Sequence, residues 1–140
     1  MKQKFGAGIW HFATYVDRYN TEGYGEPRSV IDAIKLAGQV NDLSVVDINY
    51  PYFGGSFSNQ KIKEELDKVN LEVIGITPEI YTKEFRKGAF TNPDPGIRNK
   101  AHELITEACD AVRFFNAAYV KLWPGQDGWD YLFQVDHGTL

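Results

Sequence analysis

An α/β fold with a parallel sheet follows from three features of the sequence: short β-branched or aromatic runs that end in turn residues, helical stripes between them, and regular alternation of the two. The chain has 140 residues, 43% hydrophobic and 24% charged, which suits one globular domain with a real core and speaks against disorder.

The first run, Phe5 to Phe12, is apolar and aromatic and reads as a buried strand. Two lysines precede it, but the stretch is short, is broken by glycines and His11, and lacks a small-residue cleavage site, so a secretory leader is not expected. LSVVDINY, Leu43 to Tyr50, is a second strand closed by Pro51. LEVIGIT, Leu71 to Thr77, is a third that stops at Pro78, and YVKLW, Tyr119 to Trp123, is a fourth that stops at Pro124 and Gly125.

Between these runs lie three helical patterns. Val30, Ile34 and Ala37 follow a Ser29 cap, and Ile62, Leu66 and Val69 follow a Ser58 cap, each set spaced for one helix face. The third opens at Asp94 with Pro95 in its first turn and places Ile97, Ala101, Leu104, Ile105, Ala108, Cys109, Val112 and Phe115 on one stripe. That stripe accounts for Cys109 as a packing residue.

Parallel strands need crossover connections, and these are right-handed. A doubly wound sheet would usually carry a glycine-rich phosphate loop after its first strand, whereas strand one here runs into WHFATYVDRY, with no GxGxxG. A (β/α)8 TIM barrel is therefore favoured. Such a barrel typically takes about 250 residues and eight strands. Residues 1–140 are thus expected to form the N-terminal portion of a single barrel domain, incomplete after about four βα units.

Composition removes several function classes. The net charge is -4 with no basic cluster and three scattered histidines, so nucleic acid is a poor partner. No apolar run approaches the roughly 18 residues of a membrane-spanning helix. With Cys109 as the single cysteine no intrachain disulfide can form, which fits a cytoplasmic location.

In β/α folds ligands lie at the C-terminal ends of the strands. Strand one delivers Trp10, His11 and Phe12 there; strand two Asp47, Asn49 and Tyr50; strand three Thr77, Glu79 and Tyr81; strand four Lys121, Trp123, Gln126 and Asp127. Val45, Asp47 and Asn49 share one face of strand two, and a carboxylate facing a barrel interior must meet a ligand, a partner or water. Flat rings beside carboxylate, amide and imidazole groups suit a sugar, whose C–H face stacks on an aromatic ring while its hydroxyls take hydrogen bonds. Taken singly, Trp10, Tyr81 or Trp123 would more often be barrel filling; agreement between several strand ends tips the balance. His11 has no second ligand at metal-binding spacing and reads as a substrate contact. Lys121 alternates with Val120 and Leu122, which leaves an inward anion or hydroxyl contact and an outward snorkelling position both open. His102 is expected at the surface and His137 is uninformative. No Ser/His/Asp, Cys/His, HExxH or CxxC set is present.

Three stretches resemble the xylose isomerase-like barrels, a family of sugar isomerases and sugar-phosphate isomerases and epimerases. FGAGIW resembles the family's first strand and its glycine–apolar–tryptophan turn, KEFRKGAFTNPDPGIRNKA the loop and helix start after strand three, and YVKLWPGQDGWDY the fourth strand with its tryptophan, two glycines and charged residues. The resemblance implies that Trp10 and Trp123 line a sugar site and that Tyr81 is an aromatic substrate contact. It departs at strand two, where xylose isomerases have a histidine followed by aspartates and this sequence has DINYPYFGG, with Asp47 or Asn49 in that place. That points to a relative acting on another monosaccharide or derivative.

The same resemblance implies a divalent metal, Mn, Mg or Co, held on strands five to eight of a full-length homo-oligomeric protein, with none of its ligands in this chain. The 140 residues alone are then expected to be inactive, because a metal that polarises the reacting oxygens cannot be dispensed with. The competing expectation is a non-catalytic carbohydrate-binding half-barrel that self-associates through its open sheet edges. A phosphate-ester nuclease of the wider barrel superfamily is disfavoured by the acidic balance.

Overall fold

A computed structural model describes residues 3–14, 20 and 23–129. His137 and the end of the strand-four motif, Asp130 and Tyr131, lie outside the described residues.

The described elements are β1 (Phe5–Gly8), α1 (Val30–Ala37), β2 (Leu43–Tyr50), α2 (Asn59–Lys68), β3 (Glu72–Pro78), α3 (Pro95–Phe115) and β4 (Tyr119–Val120). The four strands form one sheet in the order β1-β2-β3-β4, every pair parallel. Successive helices pack beside one another, and all three share one core with the strand residues Val46, Ile48, Val73 and Ile76, so they cover a single face. Sequential order with helices on one side is compatible with part of a TIM-barrel-like fold. A doubly wound sheet would instead reverse its order and carry helices on both faces.

Each helix begins where its cap dictates. Ser29 Oγ accepts from Asp32 N at 3.3 Å while Asp32 Oδ2 accepts from Ser29 N at 3.2 Å, a reciprocal capping box. Ser58 Oγ accepts from Lys61 N at 3.2 Å, and Asp94 accepts from Gly96 N at 2.8 Å with Pro95 in the first helical position. The third helix ends at Asn116, whose φ of 53° places it in the left-handed region that short polar side chains tolerate.

Two strands are shorter than their apolar runs. β1 ends at Gly8, and Ile9–Phe12 form a single 3-10 turn, so Trp10, His11 and Phe12 sit on a turn instead of continuing a strand. β4 pairs with β3 only through Tyr119 and Val120, which leaves Lys121 to Trp123 outside the ladder proper. After β1, Ile9 and Phe12 continue the run because they pack into the core, whereas after β4 Leu122 and Trp123 are exposed, a difference that periodicity cannot register.

The long helix serves two cores. Ala108 and Ala111, with the half-buried Val112 and Phe115, lie against the sheet. Ala101, with the half-buried Ile97 and Leu104, covers Ile80, Phe85 and Ala89 in the loop after β3. Cys109 is partly buried. The alanines at its buried positions let the helix approach closely, and that second core fixes the loop that carries Tyr81.

A charged group is also built into the helical layer. Glu65 of α2 is 8% exposed and its carboxylate accepts from Lys61 at 2.7 Å and Lys68 at 2.8 Å. These two ammonium groups hold the Glu65 carboxyl at about 2, below its ordinary 4.5.

Candidate functional site

The sheet face away from the helices is polar. In the register Gly8, Asp47, Gly75 and Tyr119 lie in one row across the four strands, and Asn49 and Thr77 lie in the next row on β2 and β3. An irregularity in the β2–β3 pairing, where Val46 meets Val73 but Asp47 meets Gly75, sets this row.

The two glycines of the row make room for aromatic rings. A Cβ on Gly8 would come within 2.1 Å of the Trp10 indole, and one on Gly75 within 2.2 Å of the Tyr119 ring. Both rings therefore lie directly on backbone, and Asp47 stands between them. Its Oδ1 accepts from Thr77 Oγ1 at 2.7 Å, and its Oδ2 is 3.5 Å from Lys121 Nζ. The Lys121 ammonium is also 4.1 Å from the centre of a Trp10 ring. Lys121 thus faces inward, and Asp47 has protein partners where the sequence left ligand, partner or water open. Burial and the neighbouring Asp47 charge push the Tyr119 phenol up, which keeps it a neutral hydroxyl.

A second group stands at the exits of β2, β3 and β4. Asn49, only 2% exposed, donates from Nδ2 to Tyr81 Oη at 2.7 Å, while its Oδ1 has no hydrogen-bond partner. The Tyr81 and Trp123 rings are 5.3 Å apart at 55°. Burial, and then the Glu79 charge, raise the Tyr81 phenol well above its usual range, so Tyr81 keeps its hydroxyl proton and can donate it. Burial likewise raises the Glu79 carboxyl, to which nothing among the described residues donates a hydrogen bond.

The structure therefore joins five of the sequence-predicted residues in two clusters, Trp10 with Asp47 through Lys121, and Asn49 with Tyr81 and Trp123. His11 joins neither. It is exposed, its ring 5.8 Å from that of Trp10. His102 is exposed on α3, 5.9 Å from the Phe90 ring. Thr77 and Tyr119 complete the first cluster. Thr77 is visible at the strand-three exit, and the one signal for Tyr119 in the sequence is its alternation with Lys121.

Asp127, also named at a strand exit, bonds to the backbone of the loop after β3 and stays away from both clusters. Beside it, Arg86, Lys87 and Pro93 face Gly125–Trp129 across a cavity of about 430 Å³. Among the described residues no three His, Cys, Asp or Glu side chains gather as a metal-ligand set.

No family model matches the chain. Over 70 residues, 49% of this chain and 18% of the relative, it is 33% identical to a protein named xylose isomerase from Thermus thermophilus. Over 78 residues, 55% of the chain and 18% of the relative, it is 27% identical to a xylose isomerase from Chelativorans sp.. An alignment of 157 positions that covers 95% of this chain is 22% identical to a xylose isomerase from Cereibacter sphaeroides and takes in 36% of that protein. The chain spans about a fifth to a third of the length of these relatives, and the similarity reaches a xylose isomerase-like superfamily at most.

Proposed function

We propose that this chain supplies the sugar-facing part of a sugar isomerase-like barrel, acting on a monosaccharide or derivative in an aldose–ketose isomerisation or an epimerisation. One observation carries the reading: Asn49 presents a buried acceptor without a donor beside the hydroxyl of Tyr81, whose ring pairs with that of Trp123. A sugar hydroxyl admitted there both donates to Asn49 Oδ1 and accepts from Tyr81, while the sugar's C–H face stacks on Trp123. The named relatives lend this reading support at the level of the superfamily.

The residues present do not fit the divalent metal that such chemistry uses. Asp47, the carboxylate best placed on the polar face, is taken by Thr77 and Lys121, and no further ligands converge on it among the described residues. No step through a metal follows from this part of the protein. What its own side chains do is bind and orient, with the Lys121–Asp47 pair holding Trp10 in place.

The test is a titration of the chain with a panel of aldoses and ketoses, followed by NMR at the Tyr81 and Trp123 rings. Saturable shifts that vanish in Asn49→Leu are expected. Absence of saturable shifts with every sugar would reject the reading.

A second reading has its own observation. Tyr119, Leu122 and Trp123 are all exposed beside the outer edge of β4, which pairs with no further strand among the described residues. That surface suits a carbohydrate-binding half-barrel that pairs with a second copy. Sizing the chain over a range of concentrations separates the two: a dimer whose formation is weakened by Leu122→Lys favours the second.

A further inference from the structure

The loop after β3 and the loop after β4 are joined by one carboxylate. Asp127 Oδ1 accepts from Phe90 N at 2.7 Å, Thr91 N at 2.8 Å and Thr91 Oγ1 at 2.9 Å, and Oδ2 accepts from Ala89 N at 3.1 Å. Three successive backbone N–H groups aimed at one anion form a nest, which a negative charge fills well. Gly88 shapes it with a φ of +97°; a Cβ there would fall 2.4 Å from Thr91 Oγ1 and 3.1 Å from Asp127 Oδ1. Gly128 N donates back to Thr91 Oγ1 at 3.0 Å, and Asn92 Nδ2 closes the loop onto Gly88 O at 2.8 Å.

From the nest a short, stiff path leads to the candidate site. Asp127 N donates to Pro124 O at 3.1 Å, which closes a turn over Gly125 and Gln126. The Trp123 indole lies on that turn, so that a Cβ on Gly125 would be 3.4 Å from it. On the other side, the loop that forms the nest also carries Tyr81. Trp123 is 61% exposed, so burial alone does not hold it against Tyr81.

We infer that Asp127 is a positioning residue, a latch whose carboxylate in the 89–91 nest holds Trp123 against Tyr81. The sugar-binding consequence rests on the functional reading above; the ring geometry does not. Although burial opposes ionisation, the N–H groups of Thr91, Ala89 and Phe90 and the Thr91 hydroxyl together keep the Asp127 carboxyl below its ordinary range, as the occupant of a nest should be. Arg86 and Lys87 line the adjoining cavity.

The latch is tested by NMR on the 140-residue chain, comparing wild type with Asp127→Ala and the milder Asp127→Asn. Expected are loss of Tyr81–Trp123 cross-peaks in Asp127→Ala, a partial loss in Asp127→Asn, unchanged Thr77 and Trp10 resonances in both, and recovery of the ring contacts in Asp127→Ala on addition of formate, which fits the vacated nest. Persistence of the ring contacts in Asp127→Ala would overturn the latch. So would collapse of the whole sheet's resonances in both variants, since that makes Asp127 a general structural residue. For sugars that bind wild type, affinity should fall about tenfold in Asp127→Ala and return with formate. If wild type binds no sugar, the functional reading fails while the ring contacts still decide the latch.

Discussion

Lys121, just past β4, reaches across the sheet to sit 4.1 Å from the centre of a ring of Trp10, on the turn that follows β1. The same ammonium is 3.5 Å from Asp47 Oδ2. One side chain therefore braces the polar face from edge to edge, at the level where the strand exits converge.

Replacing Lys121 with methionine should lower the unfolding free energy by about 2 kcal/mol, because it strands a buried carboxylate and removes a cation from an indole face. Restoring neutrality in the double variant Lys121→Met with Asp47→Asn should recover part of that loss. Urea unfolding of the four proteins gives the coupling energy, and a value near zero would deny the brace.

Gly75→Ala should cost about 1 kcal/mol, since the added methyl meets the Tyr119 ring and forces it to swing out. The same change made in a Tyr119→Ala background should cost much less. Equal costs in both backgrounds would show that ring and glycine do not oppose each other.

Asn49→Leu tests whether the orphaned acceptor serves a ligand at the expense of the fold. The variant gives up the bond to Tyr81 but also removes a buried carbonyl that has no donor, so stability should change by no more than about 1 kcal/mol. A large drop in thermal midpoint would mark Asn49 as structural.

Acid stability should carry the mark of Glu65. Its folded carboxyl, at about 2, lies below the ordinary 4.5, so the folded state binds fewer protons than the unfolded one through that interval. The contribution is therefore complete above about pH 4.5 and is lost as pH falls towards about 2. In Glu65→Gln the unfolding midpoint should be lower at neutral pH and flatter across that window. An unchanged pH profile would contradict the two-lysine bridge.

The parts of this fold that were legible in the sequence are those fixed by local chemistry. Ser29, Ser58 and Asp94 each bond to the first turn of the helix they precede, and Val46 and Ile48 alternate with Asp47 and Asn49 as a strand covered on one side requires. What escaped was set by distance. Nothing near Lys121 in the chain announces that its partners are Asp47 and Trp10, 74 and 111 residues earlier, and nothing in FGAGIWHF shows that the strand gives way to a turn at Ile9. His11, on that turn, is exposed and stands apart from both clusters. Asp127 could be named as a strand-exit residue, yet apart from the Thr91 hydroxyl its partners are backbone groups, which leave no pattern of side chains to read.

The unequal settings of two tryptophans give the molecule an optical consequence. Trp123 is largely bathed in solvent, while Trp10 lies on the Gly8 backbone beneath an ammonium. Iodide should quench the emission of the first readily, and caesium should be kept from the second by the charge of Lys121. In a Trp129→Phe background, caesium should therefore report on the Trp123 half of the site in preference to the Trp10 half, without any label attached.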